Sequence, residues 1–268
     1  MTTTATKYEA ITVEERDQIA IIKLNRPEKL NAWAPAMQTE MLDFVDRLND
    51  GEYNVRAIVL SGEGRAFCAG GDVTGFPGAN LDRKPDPWRR AHPESYAVRH
   101  LRDCDVPIIG AINGYAVGMG FGLALATDLR IAAEDTVFQV AQTKRGIIAD
   151  FGLGYFLPKI VGAQRGLELM FTGRRIEAQE ALELGLVMEV VPREQLMDRS
   201  IELATEIASG PPLSMAAIKR MVYMLEENDL ARVQDLTSPF VHIMFRSEDG
   251  IEGVNSFMER RDPVFVGR

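Results

Sequence analysis

The sequence predicts an α/β fold with a helical C-terminal portion, and three observations carry that expectation. Short β-branched runs recur in the first half, the three longest ended by turn residues that include glycine, asparagine or proline. A stretch with helical spacing separates the first two of these runs. From about Gly152 onward helical periodicity takes over. Ile19 to Leu24 (IAIIKL) reads as a strand stopped by Asn25-Arg26-Pro27. Pro35 to Leu48 carries Met37, Met41, Leu42, Val45 and Leu48 on one helical face, with proline acceptable in the first turn. Arg56 to Leu60 and Val106 to Ile112 read as further strands, ended by Ser61-Gly62 and Asn113-Gly114. Asp128 to Ala132 and Val137 to Val140 add two short ones, and Gly185 to Val191 another within the helical half. No proline- or serine-rich linker divides the chain. Residues 1–200 are therefore expected as an α/β core and 201–268 as a helical extension of the same continuous domain.

Composition narrows the class. The 268 residues are 46% hydrophobic and 26% charged, as in globular proteins, with enough length for a full core. The formal net charge of −9 argues against general nucleic-acid binding, which needs clustered Lys and Arg. Two cysteines, Cys68 and Cys104, make neither a disulfide framework nor a cysteine-rich zinc site, so no metal is expected. The N-terminus lacks a secretory pattern and no apolar run reaches the ~18 residues of a spanning helix, so a cytoplasmic protein without a membrane partner is expected.

Two glycine-bearing turns follow buried strands. Ala66-Phe67-Cys68-Ala69-Gly70-Gly71-Asp72 is the first. Asn113 to Gly122 is the second, and it runs into the short apolar helix Leu123 to Ala126. A glycine turn at a helix N-terminus presents free N–H groups and the positive end of the dipole. Two such turns aimed at one oxygen make an oxyanion hole, in which one lost donor costs about 10²–10³ in rate. The same glycines also serve close packing of strand on helix. A dinucleotide fingerprint fits poorly, because Gly118, Gly120 and Gly122 alternate as G-x-G-x-G. Between the turns, Val73 to Arg99 holds Gly75, Pro77, Gly78, Pro85, Pro87 and Pro93, with Arg89 and Arg90 beside Trp88, and reads as a lid over a binding site. His92, His100 and His242 show no ligand spacing.

The chain resembles the crotonase, or enoyl-CoA hydratase/isomerase, superfamily over nearly its whole length. The resemblance is carried by Asn25-Arg26-Pro27 with Leu30-Asn31-Ala32, AFCAGGD (66–72) and VPIIGAINGYAVGMGFGLALATD (106–128). Phe138 to Gly162, Phe171-Thr172-Gly173, Ala181 to Val191 and Phe257-Met258-Glu259-Arg260-Arg261 follow in order. It implies a spiral of ββα units followed by helices that assemble a homotrimer or homohexamer. It also implies an acyl-CoA thioester substrate, with coenzyme A entering as part of that substrate and no separate cofactor. The backbone N–H groups of Gly71 and Met119 would hold the enolate oxygen. Arg26, Lys29, Leu30, Ala69 and Asp72 would line the coenzyme A side, and Phe257 and Arg260 would reach a neighbouring subunit's ligand.

The two glutamates of the hydratases fall, by this resemblance, on Gly122 and Gln142, neither of which can carry a proton at neutral pH. A different carboxylate, Asp150, stands twelve residues after Phe138, where several isomerases of the superfamily keep their acid. One carboxylate suffices to take a proton from one carbon and return it two carbons along, and a positioned base supplies about 10²–10⁴ in rate. Asp150 also reads as an N-cap for the helix beginning near Gly152. The expected reaction is double-bond isomerisation of an enoyl-CoA. The alternatives are a hydratase or C–C hydrolase with water held by Gln142 and Asp150, and a non-catalytic acyl-CoA binding protein.

Overall fold

A computed structural model describes residues 8–72, 74, 97–224 and 228–268. The expected lid, with Trp88, Arg89, Arg90 and His92, lies outside them except for Thr74 and residues 97–99.

Ten strands and ten α-helices are seen among the described residues. The strands form two sheets. The larger has the order β1 (Ile11–Arg16), β2 (Ile19–Leu24), β3 (Ala57–Gly62), β5 (Ile108–Ile112), β7 (Leu129–Ala133), β10 (Glu189–Val191). It is parallel except for β1, which pairs antiparallel with β2 from Ile11↔Leu24 to Arg16↔Ile19. The two-residue turn between them, Asp17-Gln18, has both residues at positive φ (49° and 67°), as a twist-matched hairpin requires. Without glycine that turn carries no strong sequence signal, and β1 went unforeseen.

The strands expected as apolar runs are present and are buried on both faces, as a covered parallel sheet demands. Side chains alternate between two cores. Ile19, Ile21, Val59, Ile109, Ala111 and Ile131 face Leu196, Ala204 and Ala208 of α7 (Leu196–Ala208). Ile22, Leu24, Ile58, Leu60 and Ile112 share the other core with Met37, Met41 and Phe44 of α1 (Pro35–Asn49) and with α3 (Met119–Ala126). Helix α3 is buried all round from Gly120 to Ala126, as a helix apolar on every face must be.

The smaller sheet has the order β4 (Ala66–Cys68), β6 (Tyr115–Val117), β8 (Val137–Gln139), β9 (Arg175–Glu177). Both glycine turns therefore contain a short strand, β4 in the first and β6 in the second. Helix α3 also starts at Met119, four residues before the expected Leu123. The expected strand over 185–191 contracts to Glu189–Val191, because the preceding residues turn back on α6 (Ala178–Glu183). The remaining helices are α2 (Ala97–Asp103), α4 (Leu153–Val161), α5 (Ala163–Thr172), α8 (Pro212–Met224), α9 (Leu230–Arg246) and α10 (Glu248–Glu259). Helix α8 packs on α9 and α9 on α10, in agreement with the expected helical end. No helix among the described residues is long and apolar enough to cross a membrane.

Candidate active site

The two glycine turns meet. The chain at Trp33 runs parallel to the first turn, with Trp33 N–H donating to Gly70 O at 2.7 Å and Asp72 N–H donating to Trp33 O at 2.8 Å. That pairing straddles Gly71, so the N–H of Gly71 points away from Trp33. Ala69 N–H is spent on Leu30 O at 3.0 Å. On the other side, Gly118 adopts φ 55° and ψ −116°, a turn that side-chain-bearing residues avoid, and delivers the chain into α3. Met119 is then the first helical residue, and its N–H is among those a helix leaves without an internal partner. A Cβ built on Gly71 would lie 2.8 Å from Met119 Sδ, so the Met119 side chain lies against Gly71 where the two turns meet.

Asp150 comes to the same place from the loop before α4. The helix-cap expectation is corrected here. The N-cap of α4 is Gly152, and no side chain caps it. The Asp150 carboxylate instead accepts a hydrogen bond from Gln142 Nε2 at 3.1 Å. Gln142 lies over the second turn, its Oε1 3.5 Å from where a Cβ of Gly118 would be. Asp150 is exposed, whereas Gln142 is buried. Two buried polar atoms here, Gln142 Oε1 and Trp33 Nε1, have no hydrogen-bond partner among the described residues.

A knot of charge sits beside the first turn. Arg26 Nη2 donates to Asp72 Oδ2 at 2.7 Å and Nη1 to Ala32 O at 2.7 Å, while Lys29 Nζ stands 3.4 Å from Asp72 Oδ2. Thr74 and Arg26 hold the Asp72 carboxyl well below the usual carboxylate range, the Thr74 hydroxyl bond being the larger cause. Arg26, expected to reach a phosphate, is therefore turned inward as a brace, and the half-exposed Lys29 is the freer cation. Leu30 adopts a left-handed conformation at the end of the turn Pro27–Lys29. Burial pushes the Cys68 thiol up to about 11, which keeps it a small apolar side chain. Phe257 and Arg260 stand apart from this cluster in the topology, at the end of α10, with Phe257 81% exposed.

Asn31 was quoted only as part of a motif, yet it holds the site's frame. Fully buried, it donates to Glu63 O at 2.9 Å and Ala66 O at 2.7 Å and accepts from Arg26 N–H at 2.9 Å. Asn113 does the same between the sheets, donating to Gly62 O and Gly64 O and accepting from Gly62 N–H. Asn113 is marked in the sequence only by its place at the end of an apolar run, and Asn31, after Pro27-Glu28-Lys29-Leu30, lacks even that signal.

Comparison with known proteins follows this geometry. The family model described as enoyl-CoA hydratase/isomerase matches residues 14–268. The 1,2-epoxyphenylacetyl-CoA isomerase of Escherichia coli is 33% identical over 258 residues, covering 93% of this chain and 95% of that relative. Among solved structures, an enoyl-CoA hydratase from Mycobacterium tuberculosis superposes with a TM-score of 0.86 at 32% identity, over 97% of this chain and 100% of that one. An enoyl-CoA hydratase from Bacillus anthracis gives 0.85 at 33% identity, with the same coverage.

Proposed function

Because the chain belongs to the enoyl-CoA hydratase/isomerase family of enzymes, we propose that it moves a double bond in an enoyl-CoA thioester, using Asp150 as a single proton carrier. The observation that carries this reading is the Asp150–Gln142 pair beside the Gly71–Met119 turn. The thioester carbonyl sits between the N–H groups of Gly71 and Met119. As a proton leaves the carbon next to it, negative charge grows on that oxygen, and the fixed donors meet it without reorganising. Asp150 takes that proton and returns it two carbons along the dienolate. Only one carboxylate is needed, and the two positions where the resemblance puts the hydratase glutamates add no second one: position 122 has no side chain and position 142 is an amide. The relative in Escherichia coli is likewise called an isomerase of an acyl-CoA.

On the same reading, Lys29, Leu30 and Ala69 flank the coenzyme A, and Phe257 and Arg260 serve the ligand of a neighbouring copy in a homotrimer or homohexamer. Support for assembly is the run of exposed apolar side chains on the last two helices, including Phe245 at 70% and Met258 at 75%. A second reading has one observation in its favour. The unpartnered Gln142 Oε1 is a ready acceptor for a water shared with Asp150, which would suit hydration or C–C hydrolysis.

The two readings separate in a spectrophotometer. Offered a 3-enoyl-CoA, the enzyme should build up the absorbance of the conjugated 2-enoyl thioester. Offered the 2-enoyl-CoA, it should not bleach that absorbance by adding water. Bleaching without any build-up would favour the second reading.

A further inference from the structure

We propose that Gly122 and Trp33 form a seat that positions Asp150, which makes Gly122 a positioning residue for the reaction and limits the site to one carboxylate. The inference rests on Asp150 being the proton carrier. A Cβ built on Gly122 would lie 2.1 Å from the backbone oxygen of Phe151 and 3.1 Å from its carbonyl carbon. The first is far inside contact distance, and the neighbour is backbone, which cannot swing aside as a side-chain tip would.

Phe151 is the residue directly after Asp150. It has φ 52°, uncommon for a bulky residue, and Gly152 follows at 81°. Two successive left-handed residues fold the loop back and lay the Phe151 carbonyl on α3. The Phe151 ring, 2% exposed, meets Trp33 edge-on with centroids 5.4 Å apart. Trp33 is the residue whose backbone brackets Gly71. The loop is thus held at three points: its carbonyl on Gly122, its ring on Trp33 and its carboxylate on Gln142. The indole also ties the carboxylate loop to the turn that carries one oxyanion donor.

Any side chain at 122 must push away the peptide between Phe151 and Gly152, one residue beyond Asp150. A displacement of about 1 Å of a catalytic group is enough to cost about 10²-fold in rate. A carboxylate at 122 and the Asp150 loop in its present place therefore exclude one another. The glycine is what allows this loop to reach the oxyanion turns.

The test is Gly122→Ala in a Trp88→Phe background, where Trp33 is the remaining one of the chain's two tryptophans. With a 3-enoyl-CoA, kcat should fall about 100-fold while KM and the affinity for a saturated acyl-CoA stay within about threefold. Trp33 emission should shift as Phe151 leaves its ring. An unchanged kcat overturns the proposal, and so does a loss of saturated acyl-CoA binding in step with kcat, since that is general damage. If Gly122→Ala does not fold, Phe151→Leu takes its place. That variant keeps the backbone but removes the aromatic edge contact, and kcat should fall about tenfold at constant KM. An unaltered kcat again overturns the seat. Asp150→Asn separates the two levels. If it retains the rate, the proton-carrier reading fails whatever Gly122 does. If it abolishes the rate while Gly122→Ala and Phe151→Leu do not lower it, the seat alone fails.

Discussion

Gln142 reaches Asp150 with the one end of its amide that can donate, because an ionised carboxylate only accepts. That contact fixes which way the amide points and leaves the buried Oε1 without a partner among the described residues. Gln142→Glu keeps the shape and places a second carboxylate about as close to Asp150 as the amide is now. Two carboxylates at that distance do not both ionise readily, so the acidic limb of the pH–rate profile should move to higher pH. Gln142→Met keeps the bulk but neither hydrogen-bonding end, and kcat should fall about tenfold with KM unchanged, as expected for a lost hydrogen bond to a charged group. A pH–rate profile of each variant checks both outcomes. Asp150 was legible in the sequence only through the family resemblance, in which several isomerases keep their acid twelve residues after the position of Phe138. Its partner and its seat were not, because Gly122 and Phe151 lie far apart in the chain and meet only once it is folded. A capping role was a fair reading of an acid just before a helix, until Gly152 took the cap.

At the scale of the element, the site depends on short strands that have little cohesion of their own. Strands β4 and β6 have three residues each, and side chains from elsewhere anchor them. Asn31 ties the turn before α1 to β4 and to the turn that precedes β4, with one donated bond to each. Its φ of 54° is one that asparagine tolerates better than most residues. Asn31→Ala would strand two buried carbonyls and the Arg26 N–H, costing about 3 kcal/mol in a urea titration at roughly 1–3 kcal/mol per buried group left unmade. The Asp72 brace adds a pH dependence. Its folded pKa lies below the ordinary value of 3.8, so its contribution is complete above that value and is lost as pH falls below it. Asp72→Asn should therefore lower stability at pH 7, and the difference from the parent should shrink in progressively stronger acid. The long apolar strands were readable because burial on both faces leaves a continuous β-branched run. Strands β4, β6 and β9 were not, since three residues carry no period.

At the scale of the whole molecule, the C-terminal helices are stitched to the sheet through one buried charge. Lys219 on α8, its side chain 6% exposed, meets Asp128 Oδ2 at 2.8 Å and donates to the carbonyls of Leu101 and Val106. Asp128 also accepts from Ile108 N–H and the Tyr223 hydroxyl, and so joins α8 to the start of β5. Lys219→Ala leaves Asp128 buried without its cation and should cost about 3–5 kcal/mol in chemical unfolding. The proposed chemistry needs one carboxylate to shuttle one proton beside a backbone oxyanion hole. Proton NMR of a 3-enoyl-CoA incubated with the enzyme in heavy water tests that claim most directly. The account predicts migration to the 2-enoyl thioester in the parent enzyme and none in Asp150→Asn. A water adduct in place of migration, or migration that survives Asp150→Asn, would contradict it.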